Sequence, residues 1–273
     1  MNRALWQKAV FDAWRQLVVS SMLLLVFAWL FVWLMSRFQI GAWSTLLNLL
    51  PNFFQPMLGV PLARLATPTG QISILYMHGI TMLICVGWAV ARGSDPISGE
   101  IGRGTMDLIL SLPIRRFSVV LAPAVVDTAG AAVLVASVWL GSAIGLSVVE
   151  FGNVSLRCFL PGAVNLFCMV FCLTAITTLV SAFSCDRWRT IFIAAGFFVV
   201  SLMLDMTGRL WPVGEWLRYG SFLAAFEPQQ LILMPDPTGT AALKCNATLL
   251  GLGLLCYVAA AAVLSRRDIP AAR

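Results

Sequence analysis

Few side chains in this 273-residue sequence could do chemistry. There is one histidine, His78, and it lies inside an apolar run. A histidine in such a place can relay protons or bind a ligand, but more often it hydrogen-bonds a neighbouring helix. Asp127 is the acid set deepest in an apolar run. A carboxylate at such a depth costs several kcal/mol unless it is paired or wet. It reads either as a pathway or gate residue or as a buried, hydrogen-bonded acid that fixes helix packing. Asn165 and Asn246 read as hydrogen-bond groups between helices. Of the seven cysteines, Cys168 and Cys172 share a helix face, and packing explains them better than a metal does, since no CxxC or Cys/His group has zinc spacing. A disulfide between Cys158 and Cys245 stays open. No GxxxxGK[ST] loop is present, so ATP is not bound in the Walker manner.

The stretch from Ile97 to Arg116 is the longest charged, amphipathic piece of the chain, and it lies between two long apolar runs. Glu100, Arg103, Asp107, Arg115 and Arg116 turn it toward water, while Leu108, Ile109, Leu110 and Leu112 recur with roughly helical spacing. Gly104-Thr105 offers a helix start, with Thr105 as N-cap and Asp107 in the first turn, where its charge suits the positive end of the helix dipole. Pro113 is the stop. The expected element is a short helix on the cytoplasmic face, presented to another protein.

The elements that position this stretch follow from composition. Hydrophobic residues make up 60% of the chain and charged ones 11%, against about a quarter charged in a soluble domain. Several runs reach the roughly 20 apolar residues that cross a bilayer, and they are continuous rather than alternating. The expected fold is an all-α integral membrane protein of one domain, 1–273, with six transmembrane helices over about 17–35, 71–90, 117–146, 159–183, 191–204 and 241–264. An amphipathic interfacial helix, 1–16, precedes them, because Leu5, Trp6, Val10, Phe11 and Trp14 alternate with Arg3, Lys8, Asp12 and Arg15. A signal peptide fits less well, since the following run is too long and lacks a cleavage site. The segments 36–70 and 205–240 fall on the outer side, the second with room for a helix that dips partway into the membrane.

Placing both termini in the cytoplasm leaves twelve Lys and Arg residues inside and six outside (Arg37, Arg64, Arg157, Arg209, Arg218 and Lys244). That asymmetry is the positive-inside pattern and supports six spans with both ends inside, with the cell membrane as the expected location. The net charge of +6 is spread over the ends of apolar runs, which argues against a nucleic-acid patch. Gly141-x-x-x-Gly145 permits a close helix approach and is weak support for a dimer face.

Glu100-Ile-Gly-Arg-Gly-Thr-Met-Asp-Leu-Ile-Leu-Ser-Leu-Pro-Ile-Arg-Arg116 resembles the signature of the ABC-2 type transporter permeases. In that family an E-x-x-x-G-T segment, then leucines, then a proline and a basic residue follow the second span. Glu100, Gly104, Thr105, Leu108, Leu110, Pro113 and Arg116 fill those places, while Gly102 departs from members that carry a second acid there. The resemblance implies a coupling helix that docks on a separate ABC ATP-binding subunit, with ATP and Mg on that subunit and no cofactor on this chain. It also implies a second permease chain, as a homo- or heterodimer, and export of cargo. Glu100 would fix the loop, Gly104-Thr105 would start the helix, and the Leu108 to Leu112 face would enter a groove on the ATPase. Arg115 and Arg116 would meet anionic membrane lipids. Two other readings stand beside it. An intramembrane lipid-modifying enzyme would need His, Asp or Ser clustered across spans, and a non-catalytic membrane scaffold would need no partner ATPase.

Overall fold

The computed structural model describes residues 3–37, 45, 49, 59–111, 116–149, 154–236 and 238–266. Among them the regular structure is entirely helical. The helices are α1 (Arg3–Arg37), α2 (Leu62–Leu65), α3 (Pro68–Ser73), α4 (Gly79–Ser94), α5 (Glu100–Gly102), α6 (Met106–Leu110), α7 (Arg116–Val148), α8 (Leu160–Phe183), α9 (Arg187–Leu210), α10 (Pro228–Leu233) and α11 (Thr240–Arg266). Six stretches are long and apolar enough to cross a membrane: α1, residues 68–102, α7, residues 156–183, α9 and α11. The chain is a multi-pass membrane protein.

Two expectations change at the start of the chain. The interfacial helix and the first span form one continuous helix, because nothing between Gln16 and Leu17 breaks it. At 35 residues, α1 is about 52 Å long, well beyond a ~30 Å hydrocarbon core. The second span is interrupted instead. After α3 a tight turn, Ile74–Met77, leads to His78 in an extended conformation, and α4 begins at Gly79.

The bundle is built around α8, which is apolar over most of its surface and buried along most of its length. It touches α4, α7, α9, α10 and α11. On its far side α7 lies along α1 in parallel, and Gly141 and Gly145 set the distance. A Cβ at Gly141 would stand 2.5 Å from the Leu25 carbonyl oxygen, and one at Gly145 2.6 Å from Val32 Cβ. That glycine pair is therefore spent inside the chain and offers no free dimer face. Trp88 and Tyr76 are fully enclosed, Tyr76 stacking on Phe159.

The start of α1 and the end of α11 lie at one end of the bundle, called here the near end. Lys8 contacts Glu100, and Arg116 donates to the carbonyls of Leu264 and Ser265. At the far end, residues 212–225 and α10 fold back over α8, burying Phe222, Leu223, Phe226, Ile232 and Leu233 in the main core. The expected dipping segment takes this form, a cover of short turns. Asp205, Arg209, Arg218 and Glu227 close a four-membered ring of ion pairs there, alternating in sign. Cys158 and Cys245 are free thiols, with no disulfide between them.

Candidate functional site

At the near end, residues 95–110 leave the second span through a wide turn. Asp95–Gly99 winds with π geometry before α5. Pro96 explains the turn, since it has no N–H to give and crowds the carbonyl one turn earlier, so the ladder must widen to pass it. Ser98 is then held from three sides. Its N–H donates to Ser181 Oγ at 2.9 Å, its hydroxyl meets Thr190 Oγ1 at 2.9 Å, and it donates back to the Ser94 carbonyl. Gly93, just above, is pressed on α8, where an added Cβ would stand 2.6 Å from Thr177 Cβ.

Gly104 closes α5, and the next helix, α6, starts directly after Thr105 with Asp107 in its first turn, as the sequence leads one to expect. The Gly104 φ of +70° suits glycine, its N–H bonds the Ile101 carbonyl, and the Thr105 N–H bonds the Glu100 carbonyl. This pair of bonds is the Schellman C-cap. The Thr105 hydroxyl turns back and donates to Glu100 Oε2 at 2.6 Å. Met106 then drives into a small apolar cluster made by Ile97, Val119, Val120, Ala182, Ala260, Ala261 and Leu264, the ends of four spans. With Met106 2% exposed, α6 is pinned at its first residue while Asp107 and Leu108 face outward, Leu108 at 68%. The backbone of Ile109 and Leu110 completes α6. Leu112, Pro113 and Arg115 lie outside the described residues.

Around this turn sits a charge cluster. Glu100 is almost fully buried and accepts from Lys8 Nζ at 2.6 Å, from Arg103 and from Thr105. Asp95 faces Arg103 at 2.9 Å, Arg187 at 3.2 Å and Arg92 at 3.7 Å. Arg92 in turn reaches Asp127 on α7 at 2.8 Å and the Asp12 carbonyl on α1 at 3.2 Å. Lys8 also pairs with Asp12. Four cations (Lys8, Arg92, Arg103, Arg187) and four carboxylates (Asp12, Asp95, Glu100, Asp127) therefore cancel. They join α1, the second span, α7 and α9. Asp12, Asp95 and Glu100 bring carboxylate oxygens within 4.8 Å of one another, the spacing of a metal site. Each already faces a basic side chain, so the positive charge an ion would bring is supplied by the protein.

Residues 12–232 match the family described as ABC-2 family transporter protein. The chain belongs to that family. A search of the curated proteins finds no match. Membership makes this chain a membrane component of a transporter, in a family that works with an ABC ATP-binding subunit.

In this ABC-2 chain, the residues singled out by sequence fall into two groups. Glu100, Gly104, Thr105, Asp107, Leu108, Asp127 and Arg116 all lie at the near end, and the geometry gives Asp127 a packing partner, Arg92. His78 and Asn165 lie elsewhere. His78 caps α4, its Nδ1 accepting from the Ile80 N–H at 3.2 Å, with its ring against Phe27 and Phe31 of α1. Asn165 bridges toward the far end, donating to the Ala225 carbonyl and Asn246 Oδ1 and accepting from the Glu227 N–H. Sequence reasoning missed Lys8, Arg92, Asp95 and Met106. The signal for Arg92 and Asp95 was available, as an i, i+3 pair of opposite charge directly after an apolar run.

Proposed function

We propose that this chain is the permease subunit of an ATP-driven ABC exporter, and that residues 100–116 form the handle gripped by a separate ATP-binding subunit. In this reading both termini lie in the cytoplasm, ATP and Mg bind on the partner, and two permease chains flank the cargo path. The observation that carries the reading is the pairing of an outward-facing Asp107 and Leu108 with a buried Met106 and Glu100. A helix so held is stiff toward the spans and open toward a partner. A push on it reaches α1 through Lys8, α7 through Arg92 and Asp127, and α9 through Arg187. Packed helices answer such a push as rigid units rather than by bending.

The test is purification of the tagged chain from its own membranes in mild detergent. An ABC ATP-binding subunit should travel with it and supply all the ATPase activity. Leu108→Glu and Asp107→Arg should lower the yield of that subunit at least tenfold, with helicity and melting of the permease unchanged. Wild-type yields from both variants would show that the partner grips elsewhere.

A further inference from the structure

At the far end a cavity of 350 Å³ opens beside the ring of ion pairs, within the usual range of small-ligand sites, about 300–1,000 Å³. Gly59, Arg209, Glu215, Arg218 and Glu227 are in its lining. The ring uses only one edge of each guanidinium. Arg209 donates from Nε to Asp205 Oδ2 at 2.8 Å and from Nη2 to Glu227 Oε1 at 3.1 Å. Arg218 donates from Nε to Asp205 Oδ1 at 3.2 Å and from Nη2 to the same Glu227 oxygen at 2.6 Å. Both Nη1 groups are left without a partner among the described residues. That of Arg209 stands against the cavity wall, 2.8 Å from where a Cβ on Gly59 would sit. Open negative charge lines the same cavity. Glu227 accepts both its bonds on Oε1, which leaves Oε2 open among the described residues. Glu215 is exposed and pairs with no described residue. It lies three residues before Arg218 on the 3₁₀ turns of Pro212–Gly220, where residues so spaced share a face.

We infer that this cavity binds the headgroup of a phospholipid that carries both a phosphate and a primary ammonium, the phosphatidylethanolamine type. The sign and placing of the open charges select it. Two free Nη1 groups suit phosphate oxygens, which guanidinium donors match in geometry. A bare anion would also meet Glu215 and Glu227, which repel it, and a bare cation would meet two arginines. A group that carries both signs finds a partner for each. A primary ammonium has N–H groups to give to the carboxylates, whereas a trimethylated one has none. The level of the cavity points to lipid as the source. With 24 residues, α9 is about 36 Å long and ends just before these turns. The turns therefore lie where a ~30 Å hydrocarbon core gives way to headgroups. Trp211, Trp216 and Tyr219 are exposed there, and these are the residue types of the interfacial belt.

The test uses the full chain in nanodiscs of phosphatidylcholine, phosphatidylethanolamine and phosphatidylglycerol in equal parts, weighed with its retained lipids by native mass spectrometry. Wild type should retain one phosphatidylethanolamine per chain, about tenfold above either other lipid. Glu215→Gln, a change at an exposed side chain outside the ring, should cut the preference over phosphatidylcholine severalfold, and Glu215→Asp should keep most of it. Arg218→Lys, which keeps a charge in the ring but removes its Nη1, should weaken retention of both those lipids alike. Free glycerophosphoethanolamine in equal amount should leave the lipid in place. Equal retention of the three lipids by wild type, or an undiminished preference in Glu215→Gln, would overturn the assignment. Phosphatidylglycerol held as well as phosphatidylethanolamine would make this a plain phosphate site, and displacement by the free headgroup would make the ligand a soluble one. Either result contradicts the inference.

Discussion

Asp127 and Arg92 stand 2.8 Å apart, with side chains 2% and 4% exposed. At that depth an unpaired charge is costly, and Arg92 is the cation that faces Asp127, while Arg92 itself also faces Asp95 and the Asp12 carbonyl. Removing one partner of a buried pair costs about 3–5 kcal/mol, while replacing both with apolar residues of similar volume costs far less. Asp127→Leu alone should therefore lower unfolding stability by about 3 kcal/mol or more, and adding Arg92→Met should recover most of the loss. Denaturant unfolding of the purified variants reads both numbers. If the double variant lost as much as the two single ones together, the residues would act separately and the pairing would be wrong. Asp127 was legible in the sequence as a charge that needs a partner. Its partner was not, because Arg92 lies 35 positions away and reads locally as one more inside positive charge.

The proposed handle is the element on which the coupling we propose depends, and Met106 is the side chain that buries its first residue. Truncating a buried Met to Ala costs about 2–5 kcal/mol in a core. The small cluster under α6 is separate from the main core, so that loss should fall on α6 alone. Met106→Ala should raise hydrogen exchange at residues 106–110 while leaving α8 protected, and should uncouple cargo movement from ATP hydrolysis. Equal exchange in both proteins would mean that Met106 does not anchor the helix. Gly104→Ala should act the same way more weakly, since its positive φ strains any side chain. The long spans were legible, because continuous apolar runs have few other folds open to them. Turns were harder. Gly104-Thr105 reads as a helix start and does precede α6, yet the same two residues also close α5, because the Glu100 and Ile101 carbonyls accept from their N–H groups. The wide turn at Pro96 was hidden because its support comes from Ser181 and Thr190, on two other spans.

Taken whole, the molecule is a lipid-facing bundle with polar locks at both ends. The near-end cluster is neutral as a set and ties α1, the second span, α7 and α9 together. The four-membered ring at the far end clamps α9 to its cover. Between them lies mostly carbon, so motion of the handle should pass to the far end as movement of whole helices. The family was readable from the resemblance at residues 100–116, and the match to it covers residues 12–232, most of the chain. The most direct measurement puts a photo-crosslinking residue at Leu108 and, as a control, at Trp216 beyond the far end of α9, in cells that carry the native partner. A crosslink to an ABC ATP-binding subunit from position 108 and none from 216 is expected. A crosslink from 216 and none from 108 would contradict the grip at the near end.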